Sequence, residues 1–366
     1  MLPIGPLRGM NAASRPWSRP ERSTLMSELA KVIRLRDCDF EARQRPAPRQ
    51  WPSRPVSRPV TSLTERVAQV PPRRPRDLGD LARDAITSGI RGAADFARRR
   101  LAGDYQVDEF GLDEHLLESV LLPALRPLSD LWFRVQVTGI ENIPETGGAL
   151  IVSNHAGVLP IDGLMLQLAV HDRHPKQRLL RLLAADLVFE LPILSGLARK
   201  AGHTLACSAD AVRLLGSGEL AGVFPEGFKG VGKPYSERYK LQRFGRGGFA
   251  SAAAKTGVPI IPCSIVGSEE IYPKLADITP LARLLGLPYF PVTSTFPHLG
   301  VLGAVPLPSK WYIEFGTPIP TDGFTPGLAD DPMTMFHLTD QIRETIQQTL
   351  YELLTKRPHP FAGPNN

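Results

Sequence analysis

The sequence predicts an α/β fold, a mostly parallel sheet flanked by helices, behind a disordered N-terminal leader. Three observations carry this. From Phe133 onward, short apolar runs alternate with helical stretches, the pattern of strand–helix–strand units built into one covered sheet. Two of those runs end in loops bearing His155 and Glu226, and in such sheets functional groups gather at the carboxyl ends of strands. Residues 1–78, by contrast, hold 12 of the 36 prolines, with repeated steps such as Arg45-Pro46 and Arg54-Pro55, and cannot bury enough apolar surface to offset chain ordering.

Taken in order, Ser27–Asp37 is the one stretch of the leader with helical composition, and Asp80–Leu101 is an arginine-rich helix weakened by Gly89 and Gly92. Asp113–Phe133 carries Leu117, Val120, Leu121, Leu125 and Leu128 at helical spacing. Core packing is its first reading and membrane contact its second. Strands follow at Arg134–Thr138, Ala149–Ser153, Leu179–Ala185, Thr204–Cys207, Leu220–Phe224, Pro259–Val266 and Trp311–Phe315. Helices fall between them at Pro160–His171, Pro192–Ala201, Ala209–Ser217 and Gly247–Thr256, and Pro332–Thr355 is a C-terminal amphipathic helix. Leu281–Pro308 is apolar, proline-rich and almost uncharged. If exposed, it would seek a bilayer interface or an acyl chain; otherwise it packs irregularly on the core.

Composition sets limits. A chain of 366 residues with 42% hydrophobic content holds one large domain or two ordinary ones. Cys38, Cys207 and Cys263 are too few and too scattered for a disulfide framework or a zinc site, which favours a reducing compartment and no metal. The first residues lack the apolar core of a signal peptide, and no window approaches a membrane-spanning run. The expected location is therefore cytoplasmic, free or on the cytosolic face of a membrane. The net charge of +6 is uneven: residues 1–80 hold 16 Lys and Arg against 8 Asp and Glu, and the rest holds 27 against 29. The basic character belongs to the leader, so no nucleic-acid partner is expected of the folded part.

The stretch Ser153-Asn154-His155-Ala156-Gly157 leaves a buried strand, and Pro160-Ile161-Asp162 reads as a helix start. Histidine can take a proton from a hydroxyl, and a carboxylate on its other ring nitrogen fixes the tautomer and stabilises the imidazolium. His155 and Asp162 thus make two members of a triad that lacks a serine, and the substrate's own hydroxyl can complete it. Taken alone, Asp162 also fits a helix cap. The second landmark is Phe224-Pro225-Glu226-Gly227-Phe228-Lys229-Gly230, a proline turn with a carboxylate, glycines that admit a ligand to the backbone, and a cation. Taken alone, it is a strand-exit turn.

Together, in this order and spacing, the two landmarks resemble the glycerolipid acyltransferase family, the lysophosphatidate-acyltransferase-like enzymes. Gly202–Leu215 occupies the place of that family's second motif, and Val258-Pro259-Ile260-Ile261-Pro262 looks like its fourth. The likeness covers Val135 to Phe315. It departs from the family in having six residues between His155 and Asp162, no arginine in Gly202–Ser208, and Lys229 where arginine is usual. Tyr239-Lys240-Leu241, Arg246-Gly247-Gly248-Phe249 and Gly267-Ser268-Glu269-Glu270-Ile271-Tyr272 are similar to the subgroup related to monoacylglycerol and diacylglycerol acyltransferases.

The resemblance implies an acyltransferase-like domain over 134–320, a helical lead-in over 79–133, and a C-terminal helix and tail over 321–366. It implies transfer of a fatty acyl group from acyl-CoA or acyl-carrier protein to a hydroxyl of a glycerolipid or lysophospholipid at a membrane surface, with no cofactor beyond the acyl donor. His155 would be the general base and Asp162 its support. Asn154, Ala156, Gly157, Phe224, Pro225, Glu226, Gly227 and Lys229 would bind the acceptor. The alternatives are an acyl-thioester hydrolase using His155 with water, a non-catalytic lipid-binding protein on the same fold, and a nucleic-acid binder that would rest on the arginine-rich leader alone. A serine esterase is disfavoured, because the chain has no Gly-x-Ser-x-Gly elbow.

Overall fold

The computed structural model describes residues 87, 92, 94–103, 106–190, 194–245, 247–357 and 359–361. All of them belong to the compact unit Ala47–Asn366; the unit Met1–Pro46, the predicted leader and the Ser27–Asp37 helix lie outside the described residues. Of the predicted Asp80–Leu101 helix, residues 94–101 are described without interruption and are helical.

Nine strands are described: β1 (Gln136–Thr138), β2 (Ala149–Ser153), β3 (Leu180–Ala184), β4 (Thr204–Leu205), β5 (Leu220–Val223), β6 (Ile260–Val266), β7 (Lys274–Asp277), β8 (Pro291–Thr293) and β9 (Tyr312–Phe315). Seven form one sheet in the order β1-β9-β6-β2-β5-β3-β4, and β7 and β8 pair separately. Every residue of β2, at the centre, is buried. Its side chains alternate between two cores, as the period of two in an extended chain requires. Ile151 joins Met165 and Leu166 of helix Ile161–Arg173 and Leu117 and Leu122 of the helical run 114–132. Leu150 and Val152 join Leu214, Ala253, Ile342 and Ile346, from helices Ser208–Gly216, Gly248–Thr256 and Pro332–Lys356. Segments before 133 and after 320 thus both contribute to the core.

The helical run 114–132 contains two wide π stretches, Leu117–Leu121 and Leu128–Trp132. Pro123 lacks the N–H that would meet Ser119 four residues back, and its ring displaces that carbonyl, so the first wide stretch lies where the α register cannot hold. Helix Pro332–Lys356 starts at Asp331, whose side chain accepts the Thr334 N–H, and it buries Met335, Leu338, Ile342, Ile346, Leu350 and Leu353 along one face.

The sheet is not parallel throughout. β2 pairs in parallel with β5 and β6, and β3 with β4 and β5, but β9 runs antiparallel to β6, with Val266 opposite Tyr312. β1 pairs in parallel with β9, so these two strands oppose the other five. No crossover helix carries the chain back. The segment after β6 stays at its carboxyl end, tied by Leu307 N–H to the Ile271 carbonyl (2.9 Å) and Ser309 O–H to the Gly267 carbonyl (2.7 Å). β9 therefore begins where β6 stops and must run backward.

Just past β2, the Asn154 side chain continues the ladder. Its Nδ2 donates to the Ile265 carbonyl at 3.0 Å and its Oδ1 accepts the Ile265 N–H at 2.8 Å, with the residue fully buried. Asn154→Ala strands a buried donor and a buried acceptor together. It is expected to lower unfolding stability by about 3 kcal/mol, read as a shift of the urea midpoint with unchanged slope.

Candidate active site

β2 and β5 are adjacent and parallel, with Val152 opposite Val223, so the loops at their carboxyl ends emerge side by side. That register brings His155 and Glu226 together across 71 residues of chain. The Glu226 Oε1 accepts the backbone N–H of His155 at 2.9 Å, and its Oε2 accepts that of Gln242 at 2.7 Å.

The loop from His155 to Pro160 closes the six-residue gap that separates histidine from aspartate. Helix Ile161–Arg173 starts after Pro160, which places Asp162 in its first turn. The Asp162 Oδ2 lies 2.7 Å from His155 Nδ1 and accepts the Ala156 N–H at 2.8 Å, while Oδ1 accepts the Gly163 N–H at 2.8 Å. Asp162 has no solvent exposure, and the His155 side chain is 15% exposed. An ionised carboxylate only accepts, so this contact holds the proton on Nδ1 and leaves the Nε2 lone pair as the ring's basic atom. Phe224 stacks on the imidazole with centroids 4.5 Å apart.

The remaining expected site residues divide. Ala156 is buried and contributes its amide to Asp162. Gly157 has φ +86°, with Ser268 O 3.2 Å from where a Cβ would sit, so the loop turns there in a conformation that glycine accepts and other residues resist. Gly227 also has positive φ, caps the short helix Phe228–Val231, and follows Pro225 in the turn. Lys229 is exposed and lines a cleft of about 280 Å³. Both polar atoms of the Asn154 side chain are bonded to the Ile265 backbone and both Glu226 oxygens to backbone amides, because each side chain is buried and meets those groups at the strand ends. Beyond the Pro225-Glu226-Gly227 turn, Arg238 lies over the Tyr235 ring and Arg243 over that of Phe336. Arg246 lies outside the described residues.

Other groups join the site without having been singled out for it. Lys233, buried, lies 3.0 Å from Glu269 Oε1 and 3.6 Å from Glu226 Oε2. Burial pushes the Glu269 carboxyl up to about 7 against the pull of Lys233. The Tyr289 O–H donates to the Val158 carbonyl at 2.7 Å, fastening the histidine loop to the segment that contains β8, and burial pushes this phenol up to about 12. Lys233 sits between Gly232 and Pro234, a setting that reads as loop. Glu269 has two sequence signals, the subgroup resemblance of Gly267–Tyr272 and an acidic pair beside apolar Ile271, and neither says that it is buried against a lysine. No group of metal-ligating residues occurs among the described residues.

Gly230 packs directly beneath the histidine. A Cβ there would fall 2.7 Å from the His155 carbonyl oxygen and 2.8 Å from the Glu226 Cβ. Gly230→Ala is expected to cost about 2 kcal/mol and to move the His155 ring resonances in a ¹H–¹⁵N NMR spectrum. Gly245→Ala, whose added carbon would meet nothing closer than Pro225 O at 3.9 Å, should leave both unchanged.

The chain is similar to several known proteins. A family model described as Acyltransferase matches residues 134–266, the segment containing His155, Asp162 and Glu226. Uncharacterized protein Rv0502 of Mycobacterium tuberculosis (strain ATCC 25618 / H37Rv) is 61% identical over 289 residues, spanning 79% of this chain and 78% of that one. The DGAT1/2-independent enzyme synthesizing storage lipids of Homo sapiens is 31% identical over 194 residues, 52% of this chain and 56% of that protein. The 1-acyl-sn-glycerophosphate (LPA) acyltransferase PlsC from Thermotoga maritima, known as a crystal structure, covers 67% of this chain and 83% of its own at 21% identity, with a TM-score of 0.44. Over residues 134–266 the chain belongs to the acyltransferase family, enzymes that transfer acyl groups.

Proposed function

We propose that the protein is an O-acyltransferase that moves a fatty acyl group from an acyl thioester, acyl-CoA or acyl-carrier protein, to a hydroxyl of a neutral glycerolipid. The carrying observation is His155 held at Nδ1 by the fully buried Asp162, with Nε2 left as the basic atom. In this reading the acceptor O–H gives its proton to Nε2 as its oxygen attacks the thioester carbonyl. The C–S bond then breaks, the imidazolium returns the proton to the departing thiolate, and an ester and a free thiol result. A covalent cysteine route is disfavoured: Cys207 and Cys263 are both buried, and burial raises the Cys263 thiol far above its usual range.

The cleft beside the site supports a neutral acceptor. Three lysines line it, but Lys233 is paired with Glu269, and Lys274 with Asp277 and the Gly232 carbonyl. Glu237 and Asp277 line the same cleft, so with Glu269 its three lysines meet three carboxylates, and a phosphate there would find no net positive charge. A storage-lipid product, as named for the similar human protein, fits such an acceptor.

The surface supports work at a membrane. No helix among the described residues is long and apolar enough to cross one. The segment from Ile278 to Val305 exposes Leu284 (80%), Val301 (90%) and Leu302 (71%), and Arg283 is its one formal charge, with no carboxylate. It is joined to the histidine loop through Tyr289, which suits a bilayer contact that presents lipid to the site.

Two measurements test this reading. Purified protein with palmitoyl-CoA should release free thiol only when monoacylglycerol or diacylglycerol is added, and His155→Ala should lower that rate about 10³-fold. Equal release without acceptor would make it a hydrolase, and preference for glycerol-3-phosphate or lysophosphatidate would overturn the neutral acceptor. Flotation with phosphatidylcholine–phosphatidylglycerol vesicles at about 1 M salt, where the Debye length is about 3 Å and the basic leader is screened, should carry the protein upward. The triple variant Leu284→Glu, Val301→Glu, Leu302→Glu should stay below; if it floats equally, this segment is not the membrane contact.

A further inference from the structure

Beneath the histidine loop lies a cluster of charges that the proposed chemistry does not use. Lys233, Glu226, Glu269, Glu270 and Arg357 are all buried. We infer that Lys233 is a positioning residue for His155: its ammonium ties Glu269 to Glu226, and Glu226 holds the His155 backbone.

The contacts form two arms. In the first, Lys233 Nζ lies 3.0 Å from Glu269 Oε1 and 3.6 Å from Glu226 Oε2, and it donates to the Lys240 carbonyl at 3.2 Å. In the second, the Tyr239 O–H donates to Glu270, whose other oxygen takes Arg357 Nη1 at 2.9 Å. Tyr239 joins the arms, since its N–H donates to Glu269 Oε1 at 2.8 Å. This tyrosine has φ +61°, a left-handed conformation that a large side chain resists. Gln347 holds it there, donating to the Tyr239 carbonyl at 2.7 Å and accepting the Leu241 N–H at 2.8 Å. The stretches Tyr239–Leu241 and Gly267–Tyr272, which the sequence carries without evident chemistry, are thus the two walls of one clamp.

Charge explains why the lysine matters. Among the described residues, Lys233 is the cation within ion-pair distance of Glu226. Without it, Glu226 and Glu269 would repel each other in a buried space. Glu226 would turn toward water, and the His155 N–H would lose its acceptor while Asp162 still held the ring. The imidazole would then sit on a loop fixed at one end. Reactant misplacement of this kind lowers turnover more than it weakens binding.

The inference rests on the reading of His155 as the base, and the experiment separates the two. In the full-length protein, Lys233→Met should lower kcat for acceptor-dependent thiol release about a hundredfold with both KM values within about twofold, and Lys233→Arg should recover most of the loss. Amide hydrogen exchange, which needs no turnover, should show the His155 and Gln242 N–H groups exchanging about tenfold faster in Lys233→Met. If Lys233→Met does not fold, Lys233→Gln, which removes the charge, keeps a hydrogen-bond donor and leaves Glu226 facing Glu269, takes its place. A variant that folds with wild-type kcat, or with His155 N–H protection unchanged, overturns the inference. If the wild-type protein turns over no acyl thioester, the functional reading falls alone and the exchange data decide the clamp.

Discussion

The buried carboxylate of Glu226 is the interaction on which the site depends. A carboxylate removed from water must find its hydrogen bonds inside the protein, and the effective penalty of an unpaired buried ion is several kcal/mol. Glu226 meets the requirement with amides from two remote segments, His155 and Gln242, and with the charge of Lys233. Each partner is thereby fixed to the end of β5. Exposed ion pairs such as Lys255 with Asp330 contribute about 0–1 kcal/mol and constrain little by comparison.

The rest of the architecture follows from where that tie sits. The central strands β2, β5 and β6 run in parallel between two helical layers, so their carboxyl ends form one edge of the sheet. The chain after β6 stays at that edge, builds the β7–β8 pair, and returns as the reversed strand β9. One segment therefore walls the site through Tyr289 and presents leucines and valines outward. Site and apolar surface are consequences of the same excursion.

Much of this was legible in the residues. Strand β2 was readable to the residue because a continuous apolar run bounded by Gly148 and a polar loop has few other uses. Helix Pro332–Lys356 was readable because its apolar positions recur at helical spacing. That His155 and Asp162 stand near one another was readable from the strand–loop–helix pattern around them. The inward turn of Glu226 was not readable, because a carboxylate in a Pro-Glu-Gly turn has no local signal for which side it faces. Its direction is set by amides 71 and 16 residues away. Lys233 was missed for the same reason: among glycine and proline it looks like a solvated loop residue.

The sequence by itself determined the layers, the strand–helix alternation, the exit of His155 and Glu226 at strand ends, and an apolar, nearly uncharged segment late in the chain. These depend on local periodicity and on turn chemistry, which residues a few positions apart encode. The tertiary structure alone decided the reversal of β9, the exposure of the 278–305 segment, the bonding of Asn154 to Ile265, and the cluster of Lys233, Glu269, Glu270 and Arg357. Each of these is a choice between burial and solvent, or between two directions of chain. Such choices are settled by hydrogen-bond and charge partners that arrive from distant parts of the sequence only when the sheet has formed.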